Sequence, residues 1–306
     1  MAQARAVLGG MFAATVTPFD GNGTLDRDAA RRNVRTLLDA GLHGVLLAGS
    51  TGEAALLDQT ERDGLLQAVR DEVPSSRFLL MGVGTESTRH TIARAKHAAT
   101  LGADAVLVVA PHYFTALMTP AVQRAHYMAV ADASPAPVVL YSVPAFMHYH
   151  LDPDVVCELA LHDNIIGIKD SSGNAEWRNG YLRARSATFA VMTGHAPSLT
   201  SALGDGCVGA VLAAACIAPS LALSVAQSVG LGHPEDGAQA QEGLRRIAME
   251  IAGVYGVPGL KAGVDAAGMI GGAPRLPLTP VLEEGRSAIR AIVGAVLPES
   301  VVVAAA

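Results

Sequence analysis

The chain alternates between short apolar runs and longer amphipathic stretches. Eight apolar runs recur at spacings of roughly 20 to 35 residues, a pattern typical of repeated strand–helix units. Most runs are continuous rather than alternating in polarity, as expected for parallel strands that are buried on both faces. The predicted strands are Met11–Thr17, Gly44–Ala48, Phe78–Gly82, Ala105–Ala110, Val138–Val143, Ile165–Lys169, Phe189–Thr193 and Gly209–Ala213.

The amphipathic stretches between these runs predict helices, among them Asp26–Ala40, Gln59–Glu72, Glu86–Leu101 and Pro120–Asp132. Eight successive units favour an α/β protein with a (β/α)8 TIM barrel over an open doubly wound sheet. The remaining sequence has Gly- and Pro-marked breaks and predicts about three additional C-terminal helices. We therefore expect a barrel carrying the active site over residues 1–218. A helical segment over residues 219–306 is expected to pack on it and to form oligomer contacts.

Composition narrows the class of protein. The net charge of −6 provides no basic surface for nucleic acid. No uninterrupted apolar stretch has the roughly 18 residues that a bilayer crossing needs. The first ten residues lack a signal-peptide pattern. The three cysteines are too sparse for a disulfide framework or a zinc site. These features predict a cytoplasmic enzyme without a nucleic-acid or membrane partner.

Lysine usage points to one residue. In a barrel, catalytic groups lie at the carboxyl ends of the strands and in the loops that follow. Only three of the 22 basic residues are lysines. Lys96 lies in a helical pattern and is interpreted as a surface charge, and Lys261 is interpreted as structural. Lys169 ends the sixth predicted strand, so its side chain is expected to be buried at the catalytic rim.

A buried amine at this rim has two interpretations. Burial disfavours the charged ammonium, and a neutral amine is a nucleophile toward carbonyl carbons. The alternative is a core lysine paired with Asp170 or Glu53. The sequence favours the first interpretation, with Lys169 as a Schiff-base residue.

Other strand ends supply groups that could act together with Lys169 on one substrate. Residues 49–52 read Gly-Ser-Thr-Gly after the second strand. Their exposed N–H groups and the hydroxyls of Ser50 and Thr51 would bind a carboxylate. Tyr141 in the fifth strand and Tyr113 after the fourth supply phenols that relay protons, although packing alone is the alternative for both. Together these groups predict a site for a 2-oxo acid.

These motifs resemble the dihydrodipicolinate synthase / N-acetylneuraminate lyase family of class I, pyruvate-type aldolases. The resemblance runs along almost the whole chain. It is carried by Thr15–Phe19, Gly49–Glu53, Tyr141–Pro144, Gly167–Asp170 and Leu276–Pro280. Several motifs in the same order make the match specific.

The resemblance implies roles for individual residues. It implies that Lys169 is the Schiff-base lysine and that Tyr141 is the general acid/base phenol. It implies that Ser50 and Thr51 bind the pyruvyl carboxylate, with Ser50 also in the proton relay. It implies that Tyr113 is a relay tyrosine that reaches the neighbouring subunit's site. It also implies that Gly194 and Val211 contact the substrate through backbone atoms. It also implies a homotetramer built as a dimer of dimers, joined by the C-terminal helices.

The second-substrate region departs from the synthase of this family. There, an Arg two residues after the Tyr-x-Val-Pro motif holds the second carboxylate, whereas this chain has Phe146. The synthase's feedback-site Tyr is replaced by His112. Other stretches, such as Gly84–Thr88 and Gly256–Lys261, are more similar to 4-hydroxy-2-oxoglutarate aldolase. Residues 146–150, Phe-Met-His-Tyr-His, depart from that enzyme too, and His148 or His150 is a candidate for acid/base work there.

The sequence therefore predicts a lyase that forms or cleaves a C–C bond between pyruvate and an aldehyde, similar to 4-hydroxy-2-oxoglutarate aldolase. Phe146 and His148 are expected to contact the second substrate. No cofactor or metal is expected, since His195 and Glu53 alone do not form a ligand cluster. Three alternatives stay open. They are a hydratase-aldolase or dehydratase for a 2-oxo acid with a bulkier or aromatic tail, a 4-hydroxy-tetrahydrodipicolinate synthase, and a non-catalytic 2-oxo-acid-binding protein.

Overall fold

Eight parallel strands close into a barrel in which each strand pairs with its neighbours in sequence order and β8 pairs with β1. The computed structural model describes residues 8–297. The predicted (β/α)8 barrel is therefore confirmed. The strands are β1 Gly10–Ala14, β2 Gly44–Leu47, β3 Phe78–Gly82, β4 Ala105–Val109, β5 Val138–Ser142, β6 Ile165–Asp170, β7 Ala190–Thr193 and β8 Gly209–Leu212.

The outer helices begin where the sequence offers a cap. Asp26 accepts a hydrogen bond from the N–H of Ala29 at the start of the first helix. Asp58 and Glu61 form a reciprocal capping box at the second. The helices up to the end of the barrel are α1 Arg27–Asp39, α2 Gln59–Arg70, α3 Thr88–Thr100, α4 Pro120–Ala133, α5 Pro144–Met147, α6 Pro153–Leu159, α7 Ala175–Leu182, α8 Leu199–Gly204 and α9 Pro219–Gly230.

The predicted C-terminal helices are confirmed: α9 begins that segment at residue 219, and three further helices follow it. They are α10 Ala238–Arg246, α11 Gly253–Ala266 and α12 Glu283–Val296. A π-helical turn over Ile247–Ala252 joins α10 to α11. The predicted break near Gly256 is a single backbone kink inside α11, with φ at 61°. The first residues of the predicted barrel segment and the last of the C-terminal segment, 1–7 and 298–306, lie outside the described residues.

Register brings the functional groups to one rim. All eight strands point the same way, so their carboxyl ends meet at one end of the barrel. Tyr141 lies directly opposite Lys169 across β5 and β6, and Asp170 lies opposite Thr193 across β6 and β7. Strand pairing therefore fixes the position of Lys169 relative to Tyr141.

Candidate active site

Lys169 and Tyr141 form the centre of the site. The Lys169 Nζ lies 4.3 Å from the centre of the Tyr141 ring. Both side chains are 95% buried, with relative exposures of 5%. Among residues 8–297, neither the Lys169 amine nor the Tyr141 hydroxyl has a hydrogen-bond or ion-pair partner. Both polar groups therefore remain available to a bound molecule.

The alternative partners of Lys169 are engaged elsewhere. Glu53 forms an ion pair with Lys261, and both of those side chains are buried. Asp170 accepts hydrogen bonds from the backbone N–H and the hydroxyl of Ser172, at 3.0 and 2.8 Å. Burial raises the pKa of Asp170 above its ordinary value, while the Ser172 hydrogen bonds oppose that shift. Lys169 is therefore not a core lysine neutralised by either carboxylate.

Gly194 makes room for the lysine. A Cβ atom at this position would lie 2.7 Å from the Lys169 Cε and 2.0 Å from the Ser171 hydroxyl oxygen. Its N–H donates to the Asp170 carbonyl at 2.6 Å, which holds the end of β7 against β6. A side chain at residue 194 would therefore collide with Lys169 and Ser171, which explains the glycine at this position.

The β2 loop presents free donors. Residues 49–54 form a tight turn in which Glu53 N–H donates to the Ser50 carbonyl at 3.1 Å. Within the described part of the chain, no residue accepts a hydrogen bond from the backbone N–H of Ser50 or Thr51, and both residues are partly exposed. The Thr17 hydroxyl donates to the Gly52 carbonyl at 2.7 Å and holds the turn against the end of β1. This arrangement suits an anion such as a carboxylate.

Tyr113 lies away from this centre. Its side chain is 77% exposed and packs edge-on against Phe114. Glu86 accepts hydrogen bonds from the backbone N–H groups of His112 and Tyr113 at 2.9 and 2.8 Å, which fixes the start of the loop after β4. Within one chain, then, Tyr113 is presented outward rather than joined to Tyr141.

Val211 and the β7 end complete the rim. Val211 is buried in β8 and pairs with Phe12 of β1. His195, next to Gly194, shares a 2.8 Å hydrogen bond between its Nδ1 and the Ser198 hydroxyl. Burial, and then the charge of Arg178, lowers the pKa of His195, so its imidazole is neutral near pH 7.

The loop after β5 holds the second-substrate candidates. Phe146 is 54% exposed on the short helix α5, and His148 follows in the left-handed conformation with φ at 60°. His150 instead stacks on Trp177 with ring centres 4.0 Å apart and planes within 4°. The stack assigns His150 to packing, whereas Phe146 and His148 remain exposed to solvent.

Sequence reasoning missed two supporting networks. One is the Glu53–Lys261 ion pair. The sequence did single out both members, because Glu53 directly follows a turn motif and Lys261 is one of only three lysines. The other places the Tyr181 hydroxyl 3.3 Å from the Ser142 hydroxyl at the end of β5, while Tyr181 also donates to the Leu151 carbonyl at 2.8 Å. No local pattern marks the second network, because its members come from β5, α7 and the loop that holds Leu151.

Residues 8–297 contain neither a metal-binding cluster nor a membrane-spanning helix. His, Cys, Asp and Glu side chains there form no group of three or more that could hold a metal ion. None of the helices described has the length and apolar character required to cross a membrane.

A (β/α)8 barrel with a buried, unpaired lysine at the end of β6 defines a candidate Schiff-base lyase. The comparison with protein families agrees: the model of the dihydrodipicolinate synthetase family matches residues 7–296. The chain belongs to this family. Its members are class I lyases that form a Schiff base with pyruvate and use an aldehyde as second substrate.

Curated relatives support the same assignment. The chain is 35% identical over 285 residues to an uncharacterized DapA-like lyase of Halobacterium salinarum, covering 93% of this chain and 92% of the relative. It is 38% identical over 275 residues to a 4-hydroxy-tetrahydrodipicolinate synthase of Xanthomonas axonopodis, covering 90% of each. The family is thus shown by relatives of nearly the same length.

Solved structures share the fold. A dihydrodipicolinate synthase from Bacillus anthracis superposes with a TM-score of 0.89 at 28% identity, covering 95% of this chain and 99% of that one. A prophage protein of the dihydrodipicolinic acid synthase family from E. coli K12, solved in complex with pyruvate, has a TM-score of 0.88 at 26% identity. It covers 95% of this chain and 99% of that protein.

Proposed function

We propose that this chain is a class I aldolase that cleaves or forms a C–C bond between pyruvate and an aldehyde, with Lys169 as the Schiff-base nucleophile. The observation that carries the proposal is the position of the Lys169 amine: buried, without an ion-pair partner in residues 8–297, and 4.3 Å from the Tyr141 ring. The preferred activity resembles that of 4-hydroxy-2-oxoglutarate aldolase, which releases pyruvate and glyoxylate.

The reaction follows from the groups at the rim. The free N–H groups and hydroxyls of Ser50 and Thr51 hold the carboxylate of the 2-oxo acid. The neutral amine of Lys169 attacks the 2-oxo carbon and gives a carbinolamine, which loses water to form an iminium. Tyr141 transfers the protons in these steps, with Ser50 in the relay.

The iminium then accepts the electron pair of the C–C bond that breaks. The 4-hydroxyl group of the substrate gives its proton to Tyr141 as the C–C bond breaks, so that the aldehyde leaves and an enamine stays on Lys169. Protonation of the enamine and hydrolysis of the resulting iminium return pyruvate and the free amine. In the reverse direction the enamine carbon attacks the aldehyde. Backbone groups of Gly194 and Val211 are assigned to substrate contact at this rim.

The exposure of Tyr113 supports a role across a subunit boundary. A phenol that is 77% exposed in one chain, beside the exposed Phe114, is suited to enter the site of a neighbouring copy. We therefore assign Tyr113 to the proton relay of a partner subunit, in a homotetramer built as a dimer of dimers.

A second candidate is a hydratase-aldolase or dehydratase for a 2-oxo acid with a bulkier or aromatic tail. The exposed ring of Phe146 and the exposed imidazole of His148 favour it, because they offer an apolar and polarisable surface. The same observation counts against the synthase activity that several relatives' names carry. A phenylalanine cannot form the paired hydrogen bonds that an arginine makes with a carboxylate.

Borohydride trapping tests the nucleophile directly. The enzyme is incubated with pyruvate, reduced and digested, and the peptides carrying its three lysines are analysed by mass spectrometry. We expect a reduced pyruvyl adduct on Lys169 only. Lys261, buried and ion-paired, and Lys96, exposed, serve as internal controls in the same digest. An unmodified Lys169, or full activity in Lys169→Ala, contradicts the proposal.

Product analysis separates the activities. Retro-aldol assays with 4-hydroxy-2-oxo acids bearing acidic, sugar-like and aromatic tails should release pyruvate from the preferred substrate. Release of pyruvate and an aldehyde identifies an aldolase, whereas a retained carbon skeleton identifies a dehydratase. An adduct with pyruvate but no turnover with any aldehyde identifies a non-catalytic 2-oxo-acid-binding protein.

A further inference from the structure

A buried ion pair joins the C-terminal segment to the carboxylate-binding turn. Glu53 follows the Ser50–Thr51 turn after β2, and Lys261 lies on α11. Their side chains are 0% and 1% exposed. A buried pair of this kind is costly to form and adds little net stability compared with apolar residues. A local geometric role is therefore a better explanation for it than overall stability.

Each partner is fixed by further contacts. The Lys261 ammonium donates to the Ala273 carbonyl at 2.6 Å and lies 4.5 Å from the centre of the Phe19 ring. The second carboxylate oxygen of Glu53 accepts from the backbone N–H of Arg275 at 2.8 Å. Both oxygens of Glu53 are thus held by the C-terminal segment, since residues 261, 273 and 275 all belong to it.

The position of Glu53 sets the shape of the turn. Glu53 has the left-handed conformation, with φ at 55°, which is uncommon for a residue with a side chain. Its backbone N–H donates to the Ser50 carbonyl, which belongs to the same peptide group as the Thr51 N–H, so moving Glu53 moves that donor. The buried pair holds Glu53 at the end of a turn in which the N–H groups of Ser50 and Thr51 have no acceptor among residues 8–297.

We propose that Lys261 is a positioning residue that acts through Glu53, so that the C-terminal segment determines how tightly the β2 turn binds the carboxylate of the 2-oxo acid. This inference rests on the proposed function, because it assigns that carboxylate to Ser50 and Thr51. Lys261 itself does not touch the reacting atoms: its ammonium is engaged by Glu53 and the Ala273 carbonyl.

The test measures affinity and chemistry separately. Borohydride trapping on Lys169 is followed as a function of pyruvate concentration in the full-length enzyme and in Lys261→Met. We expect the half-saturating pyruvate concentration to rise by about 10- to 100-fold, the loss that a misplaced binding group produces. The trapping rate at saturating pyruvate should fall by less than about threefold, because Lys169 and Tyr141 stay in place.

A double variant guards against a simple folding defect. Lys261→Met leaves the Glu53 carboxylate buried without its cation, whereas Glu53→Gln/Lys261→Met removes both charges. The double variant should fold with a near-normal melting temperature and retain the raised half-saturation. Arg245→Met, which removes an exposed ion pair with Glu242 on α10, is the matched control and should leave pyruvate binding unchanged.

The outcomes are distinct. A folded double variant with the half-saturation of the parent enzyme overturns the inference, as does a fall in saturating rate without a change in half-saturation. Failure of the double variant to fold would show that the pair supports the whole barrel, and would also overturn a local role. Absence of any adduct on Lys169 in the parent enzyme contradicts the proposed function instead.

Discussion

Lys169 and Tyr141 are directly opposite each other across β5 and β6, and this register places the amine 4.3 Å from the centre of the phenol ring. Because both groups come from paired strands, their separation is fixed by the barrel rather than by a loop. The first prediction concerns this phenol. Tyr141→Phe should reduce turnover by about 10²- to 10⁴-fold, because it removes a positioned proton-transfer group.

Single-turnover assays should show that iminium formation is slowed in Tyr141→Phe while pyruvate still binds. Tyr255→Phe is the matched control, because that phenol ring lies on α11 beside Gly285 of α12, in the C-terminal helices. It should keep full activity. Equal activity losses in both variants would contradict a specific role for Tyr141.

The second prediction concerns the space beside the amine. Gly194→Ala introduces a Cβ that would lie 2.7 Å from the Lys169 Cε and 2.0 Å from the Ser171 hydroxyl oxygen. The lysine must therefore shift, and adduct formation should fall by about 10²-fold. Gly204→Ala on α8 is the control, since a Cβ there meets no atom within 4 Å. The control should keep full activity, and an active Gly194→Ala would show that the crowding has no functional consequence.

The third prediction concerns stability at acid pH. Burial lowers the pKa of His126 to about 4, and its Nδ1 shares a 2.9 Å hydrogen bond with the Thr88 hydroxyl. The unfolded chain, with a histidine pKa near 6.5, binds more protons than the folded chain between these values. The histidine's contribution is therefore present above pH 6.5 and is lost as the pH falls toward 4. Lowering the pH from 7 to 5 should therefore reduce the free energy of unfolding by about 2 kcal/mol.

Denaturant unfolding at several pH values measures this slope. His126→Asn lacks the titrating group, so its unfolding free energy should decrease less between pH 7 and 5, by the same amount of about 2 kcal/mol. Parallel curves for the two proteins would mean that His126 titrates normally in the folded state.

The fourth prediction concerns the second substrate. Phe146→Ala and His148→Ala should raise the KM for the 4-hydroxy-2-oxo acid by about 3- to 30-fold, because each removes one contact to its tail. Pyruvate trapping on Lys169 should not change. His150→Ala, which breaks the stack with Trp177, should instead lower stability with little effect on KM. A KM change confined to His150→Ala would reverse these assignments.

The fold was predictable, and so was the position of Lys169, Tyr141 and the Ser50–Thr51 turn at one end of the barrel, because strand ends in a barrel form one rim. Strand bounds agree to within a few residues. The largest difference is in β1, predicted to reach Thr17 and observed to end at Ala14. Beyond Ala14, both the backbone N–H and the hydroxyl of Thr15 donate to the Leu46 carbonyl, and the Thr17 hydroxyl donates to the Gly52 carbonyl. A continuous apolar run cannot show where side chains take over from backbone pairing.

Long-range partner choice was not predictable. The sequence offered Glu53 as an alternative partner for Lys169 and named no partner for Lys261, whereas the folded path of α11 brings Lys261 to Glu53. The stacking of His150 on Trp177 similarly depends on how the loop after β5 meets α7. The short helices α5 to α7 have too few turns to produce a clear periodic pattern.

The scarcity of lysine has a consequence for selectivity among reactive carbonyls. Of the three lysine side chains, Lys261 is ion-paired in the interior and Lys96 alone is exposed on a helix, while Lys169 is confined to the rim. Aldehydes condense with primary amines wherever they meet them, but guanidinium groups stay protonated and are poor nucleophiles. A surface whose positive charge is carried by arginine therefore offers an aldehyde few side chains that it can modify. The enzyme can act on a reactive aldehyde without being inactivated by modification of its surface.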